Sequence, residues 1–171
     1  MLELGLFYTS ATVALVATVF AVTRYNVAHA LIYLIISLLA SAVIFYLVGA
    51  PFAAILEILI YAGAIMVLFV FVIMMLNLGS PGDGVEHQWL QPGMWIFPSI
   101  LCLVLLAEIV YMLSSGDRML QGKMIGPKQV GIDLFGPYVL AVEIASMLLL
   151  AGLVGAYHLG RKYLIDAREE S

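Results

Sequence analysis

Charged side chains are scarce in this sequence of 171 residues, because Asp, Glu, Lys and Arg together make up only 11% of it. Soluble domains carry about 25% charged residues. The hydrophobic fraction reaches 64% and the mean hydropathy is +1.12. Lys and Arg number 7 against 11 Asp and Glu, and no basic stripe is present. A soluble domain and a nucleic-acid partner are therefore both excluded.

Cysteine is nearly absent, with a single residue, Cys102, inside an apolar run. One cysteine excludes a disulfide framework and a thiolate set for zinc or an iron–sulfur cluster. His29, His87 and His158 are dispersed at the ends of apolar runs or in a loop, and we expect them to be solvated or interfacial. The sequence also lacks a P-loop, a dinucleotide fingerprint and a nucleophile elbow. We therefore predict no catalytic, metal or cofactor site in this chain.

The sequence does contain long apolar runs. A helix needs about 20 consecutive apolar residues to cross the hydrocarbon core of a membrane. We predict an all-α, multi-pass membrane protein with a single membrane domain over residues 1–171. The predicted spans are residues 4–22, 27–48, 53–76, 94–113 and 134–158, followed by a polar tail at 160–171.

The orientation follows from the basic residues near the span ends. Arg24, Arg161 and Lys162 lie close to span ends on the side of the C-terminus. Because Lys and Arg accumulate in cytoplasmic loops, we expect the C-terminus to be cytoplasmic.

Three glutamates, Glu57, Glu108 and Glu143, fall inside predicted spans. An ionisable side chain at bilayer depth is costly, so each needs a partner or a function. Each can be a carboxylate that exchanges protons, or a buried acid that ties helices together. The sequence leaves both interpretations open.

The third span has polar residues at one end and a stretch of small residues in its middle. Its residues at three- or four-residue spacing, which share one helix face, are Glu57, Tyr61, Ala64, Leu68, Phe71 and Met75. Beside them, Ala62, Gly63 and Ala64 remove bulk in the middle of the helix. Either a neighbouring helix packs closely here, or the helix departs from α geometry through a π-bulge.

The run Leu56–Asn77 is far more particular than hydrophobicity alone requires, and the runs Val27–Ser37 and Phe135–Glu143 are similarly distinctive. Together they resemble the subunit J family of bacterial proton-pumping NADH:quinone oxidoreductase, respiratory complex I. The similarity covers nearly the whole chain, with five spans in the expected order. The loops and the C-terminal tail are less characteristic.

The resemblance implies a core subunit of the membrane arm in the bacterial inner membrane, in lipid and beside subunits A, H and K. FMN, iron–sulfur clusters and quinone are then expected in partner subunits, with none in this chain. It also implies that the third helix switches between α and π-bulged forms over Tyr61 to Val67 and gates a proton and water path. The residues expected on that path are Glu57, Tyr61, Ala62, Gly63, Ala64, Met66, Val67 and Glu143.

Two alternatives stand beside this hypothesis. One is a purely structural helix-packing subunit of the same complex. The other is a free-standing transporter, which the absence of internal repeats and the few polar groups in the spans disfavour.

Overall fold

A computed structural model describes residues 2–24, 26–76, 92–115 and 124–169 of the chain. These residues form helices and no strand, which confirms the all-α prediction. The elements are α1 Leu2–Thr23, α2 Val27–Leu47, α3 Pro51–Leu56, a π segment Glu57–Ile65, α4 Met66–Leu76, α5 Pro92–Ser115, α6 Pro127–Leu134 and α7 Val139–Glu169. The third span consists of α3, the π segment and α4 without a break. Five helical stretches are long and apolar enough to cross a membrane, as predicted.

The fifth span begins later than the predicted residue 134. Residues 135–138 form a turn, in which the amide of Tyr138 bonds to the carbonyl of Asp133 at 3.1 Å. Before that turn lies α6, in a region that we predicted to be a loop. Pro127 occupies its first turn, and the side chain of Gln129 donates to Asp133 one turn on at 3.0 Å. These local signals stabilise a short helix without any apolar run.

The chain divides into two compact units, residues 1–125 and residues 126–171. The single membrane domain over 1–171 stays a prediction. In the first unit α2 is central, because it contacts α1, α5 and all three parts of the third span. In the second unit α6 contacts α7. Of the residues between the predicted third and fourth spans, 77–93, those at 77–91 lie outside the described residues, and they include His87.

Both ends of α2 are closed by local hydrogen bonds. At its start the side chain of Asn26 accepts from the amides of Ala28 and His29 at 3.0 and 3.3 Å. At its end Gly49 adopts a φ of 93°, and its amide and that of Ala50 bond back to Tyr46 and Phe45. This is the Schellman arrangement, which needs a left-handed residue and therefore favours glycine. Pro51 then starts the third span in its first helical position.

The core of the first unit lies where α1, α2 and α5 meet. Its buried members are Val13, Ala17, Tyr33, Ile36, Ala40, Leu101 and Leu105. Ala17 and Ala40 are fully buried, so two small side chains let the helices approach closely. Beside the core, Phe20 stacks on Tyr33 with ring centroids 5.3 Å apart, and Arg24 lies over both rings.

The outward faces of the helices are apolar. In α7 the membrane-crossing stretch has no buried residue, and large side chains such as Leu149 and Leu153 are exposed. Such surfaces are stable only against lipid tails or other membrane helices. The fold is therefore that of a multi-pass membrane protein.

Candidate functional site in the third span

The third span departs from α geometry over nine residues, Glu57–Ile65. At the start of this π segment the amide of Glu57 bonds to the carbonyls of Ala53 and Ala54, as in an α-helix with a tightened turn. At its end the amide of Met66 reaches the carbonyl of Tyr61, five residues back. Bonds to the fifth preceding residue define the π form, which is rare and recurs at functional sites.

Gly63 lies inside the π segment at a place with little room for a side chain. A Cβ added there would stand 3.1 Å from the carbonyl oxygen of Ile58, its own helix backbone five residues back. That is closer than ordinary van der Waals contact, so the backbone would have to move. In a regular α-helix the same Cβ meets no such obstacle, and alanine is preferred over glycine there by about 1 kcal/mol. Glycine at this position therefore favours the π form over the α form.

The expected switch segment, Tyr61 to Val67, overlaps the observed π segment but does not coincide with it. Tyr61, Ala62, Gly63 and Ala64 lie within it, whereas Met66 and Val67 are already α-helical in α4. Glu57, expected only as an acid near the switch, forms the first residue of the π segment. The small side chains at 62–64 carried the sequence signal, and they lie in the second half of the π segment.

The residues of the third span differ in how far their side chains are buried. Met66 is 5% exposed and Ala54 is buried, so these positions face the inside of the first unit. Tyr61 and Val67 are 51% and 68% exposed and point away from it. Glu57 is intermediate. Three of the seven candidate residues in the third span, Tyr61, Ala64 and Val67, are therefore exposed on its outer side, whereas the others are partly or fully buried.

Glu143 lies on α7 in the second unit and is exposed. The hydroxyl of Ser146 donates to its backbone carbonyl at 2.7 Å, within the same helix. The third-span residues belong to the first unit. The membership of Glu143 in one path with Glu57 stays a prediction.

A second polar centre, which the sequence revealed only in part, surrounds Glu108 on α5. This carboxylate is 6% exposed and accepts from the hydroxyls of Thr9 and Ser10 on α1. We predicted Glu108 as a membrane acid but not these partners. Hydroxyl residues are common in membrane helices and often bond to their own backbone, so nothing in the sequence singles out Thr9 and Ser10.

His29 corrects our expectation of a solvated or interfacial side chain. It is 5% exposed, and neither ring nitrogen has a hydrogen-bond partner. Its ring packs beside Trp95 with centroids 5.9 Å apart. The side chain is buried because the first turn of α2 packs against the start of α5, which carries Trp95. His158 is exposed, as expected.

Within the described part of the chain, no group of three or more His, Cys, Asp or Glu side chains could hold a metal ion. Cys102 is exposed on α5 and forms no disulfide. The side-chain chemistry available at the candidate site is therefore that of a carboxyl group and a phenol beside a π-helical backbone segment.

Comparison with known proteins identifies the family. The model of the family described as NADH-ubiquinone/plastoquinone oxidoreductase chain 6 matches residues 17–159, which include the whole third span. NADH-quinone oxidoreductase subunit J of Escherichia coli K12 is 57% identical over 157 residues, which cover 91% of this chain and 85% of the relative.

Two further relatives carry the same description. Subunit J of Pseudomonas aeruginosa PAO1 is 57% identical over 168 residues, covering 95% of this chain and 98% of the relative. Subunit J of Buchnera aphidicola from Schizaphis graminum is 47% identical over 157 residues, covering 91% and 96%. The chain therefore belongs to the family of NADH-ubiquinone/plastoquinone oxidoreductase chain 6, which includes the bacterial NADH-quinone oxidoreductase subunits J.

Proposed function

We propose that this chain is a membrane-arm subunit of a proton-translocating NADH:quinone oxidoreductase and that its third span gates a proton and water path. The observation that carries the proposal is the π segment Glu57–Ile65 with Gly63 inside it. Family membership supports the assignment to the enzyme complex. The chain itself contributes no redox centre in this proposal, and FMN, iron–sulfur clusters and quinone are bound by partner subunits.

The gating step is a change of helical register. In an α-helix each residue turns the chain by about 100°. When a π turn becomes an α turn, one residue leaves the wide loop, so the helix on one side rotates by about that angle against the other. Glu57 and Tyr61 would thereby change their direction relative to Leu68 and Phe71 of α4. In one form the carboxyl group of Glu57 and the phenol of Tyr61 would then line the water path, and in the other form they would point away from it.

The surroundings of the segment suit such a movement. Its outer face is exposed in the described first unit, where Leu59 and Tyr61 are 62% and 51% exposed. Its inner face is held by α2, which contacts α3, the π segment and α4. We infer that α2 stays in place while the π segment rewinds against it. Partner subunits A, H and K would cover the outer face in the assembled complex.

The proposal also includes the location and orientation of the chain. We place it in the bacterial inner membrane with its C-terminus in the cytoplasm, on the distribution of Arg24, Arg161 and Lys162.

The decisive experiment is a high-resolution structure of the assembled complex in resting and in turnover conditions. We expect the residues Glu57–Ile65 to be π-helical in one state and α-helical in the other. An identical helix in both states would contradict gating by this chain. The third span would then be a packing element, and the proton path would be controlled by neighbouring subunits.

A further inference from the structure

The carboxyl group of Glu108 is held in a buried site that the gating proposal does not use. Ser10 is fully buried, and its hydroxyl is 2.6 Å from one carboxyl oxygen. The hydroxyl of Thr9 bonds to the other carboxyl oxygen. Glu108 lies six residues before the end of its membrane span and Thr9 six residues after the start of its own. At a rise of 1.5 Å per residue, both lie about 9 Å from the same end of the bundle.

No cation is available to this carboxyl group from the helices packed around it. α5 contacts α1 and α2, and none of the three contains Lys or Arg. Their other titratable side chains are Glu3 and Tyr8 in α1, His29, Tyr33 and Tyr46 in α2, and Cys102 and Tyr111 in α5. Among these only His29 can become positive, and it packs beside Trp95, which is 13 residues or about 20 Å from Glu108 along α5.

The hydroxyl group of Thr9 can form a hydrogen bond with either the charged or the neutral form of the carboxyl group. A hydroxyl is one donor and also an acceptor. Besides Glu108, the oxygen of Thr9 lies 3.1 Å from the carbonyl of Gly5 and 2.9 Å from that of Leu6. With its single proton, Thr9 can donate to a carboxylate. It can equally turn toward a backbone carbonyl and accept a proton from a carboxylic acid, with no movement of heavy atoms.

A route to the outside of the bundle begins at the same threonine. Thr9 lines a cavity of about 350 Å³ that opens at the surface, together with Tyr8, Thr12, Val13 and Val104. Three of its five lining side chains carry a hydroxyl group. Most of the lining is nevertheless apolar and the cavity is wide open at the surface, so any water there is held by these hydroxyl groups alone. Ser10, in contrast, is fully buried and does not line the cavity.

From this geometry we propose that Glu108, Thr9 and Ser10 form a proton-exchange site, which takes up and releases a proton through Thr9 and water in the adjoining cavity. On release, the carboxyl proton of Glu108 passes to the oxygen of Thr9 while the hydroxyl proton of Thr9 passes to that water; uptake is the reverse, so no other reactant is needed. The hydroxyl of Ser10 holds the second carboxyl oxygen in place. The site is separate from the π segment and does not depend on its movement.

The test is infrared difference spectroscopy of the purified whole complex, with the protonated carboxyl C=O band as the signal. We expect wild-type complex to show such a band, and we expect it to shift on transfer to D₂O. Glu108→Gln should remove it. If that variant does not assemble, Glu108→Asp should shift the band instead. A spectrum that neither variant changes, or a band that never exchanges its proton, overturns the proposal.

The route is tested by three matched variants of hydroxyl residues. Thr9→Val should slow the exchange of the band in D₂O several-fold. Ser10→Ala should shift the band, because it removes one hydrogen bond, but should leave the exchange fast. Thr18→Val removes an interhelix hydrogen bond of the same helix, 2.7 Å to Ser37, and should leave the band unchanged. Equal exchange rates in the Thr9 and Ser10 variants would overturn the route through Thr9.

Discussion

Gly63 is the residue whose chemistry bears most directly on the winding of the third span. Its missing Cβ leaves the carbonyl oxygen of Ile58 room inside the π segment, where a Cβ would stand at 3.1 Å. The sequence showed the loss of bulk at 62–64 but could not decide between close packing and a π turn. That choice depends on backbone hydrogen bonds whose free energies differ little, and residue types do not reveal such a difference.

We expect Gly63→Ala to shift the third span toward the α form. Alanine is favoured over glycine in an α-helix by about 1 kcal/mol, and the π form would be further disfavoured by the contact with Ile58. The measurement is the helix geometry of residues 57–65 in the assembled complex, together with its coupled quinone reduction. Gly131→Ala on α6 is the matched control, because a Cβ at Gly131 meets nothing within 4 Å. An unchanged π segment in Gly63→Ala would contradict this account.

Larger side chains at the same position distinguish gating from packing. Gly63→Val and Gly63→Leu should reduce coupled quinone reduction more than they reduce the amount of this subunit in the membrane. The reason is that bulk at residue 63 blocks rewinding while the outer face of the span can still meet its neighbours. Wild-type turnover and proton pumping in these variants would contradict gating. Equal losses of activity and subunit would favour the purely structural alternative.

For Glu143 we expect the reverse of the Gly63 variants, with assembly affected more than activity. If this exposed acid on α7 mainly ties the helix to a neighbouring subunit, Glu143→Gln should reduce assembly more than the activity of the complexes that do assemble. Subunit content and turnover per assembled complex are the two measurements. Normal assembly with lost turnover would instead place Glu143 on the proton path.

At the scale of the elements, α2 organises the first unit because it contacts every other membrane helix there. Asn26 caps its start through two backbone amides. We expect Asn26→Ala to lower the stability of the helix by about 1 kcal/mol, seen as earlier dissociation of this subunit during thermal denaturation of the complex. Asn26→Asp keeps an accepting oxygen and should behave like wild type. Equal denaturation of the alanine and aspartate variants would contradict a capping role.

The elements themselves were largely predictable, since five apolar runs of spanning length can hardly form anything else in a bilayer. The ends of the elements were harder to predict. The helix α6 and the turn before Val139 depend on local hydrogen bonds, such as that from the amide of Tyr138 to the carbonyl of Asp133. In the sequence, the fifth apolar run instead looked continuous from residue 134. The pairing of Glu108 with Thr9 and Ser10 was not predictable. It depends on which faces of α1 and α5 meet, and a uniformly apolar helix does not mark a preferred face.

At the scale of the whole molecule, each of the two units has a large apolar surface outside its own core. Many large side chains of the third span and of α7 are exposed, for example Phe71 at 54% and Leu149 at 75%. Only α2 has close to half of its membrane-crossing residues buried, at 44%. A chain with so little internal core is consistent with a subunit whose helices are stabilised mainly by lipid and neighbouring proteins.

The orientation of the whole chain gives the last prediction. Five crossings place the two termini on opposite sides, and the basic residues nearest the span ends favour a cytoplasmic C-terminus. In a Cys102→Ala background, Ser171→Cys should react with a membrane-impermeant maleimide in inverted vesicles but not in intact spheroplasts. Gln121→Cys, one span earlier, should show the reverse pattern. The opposite labelling would place Arg24 and the tail outside the cytoplasm and would mean that Arg118, Lys123 and Lys128 determine the orientation instead.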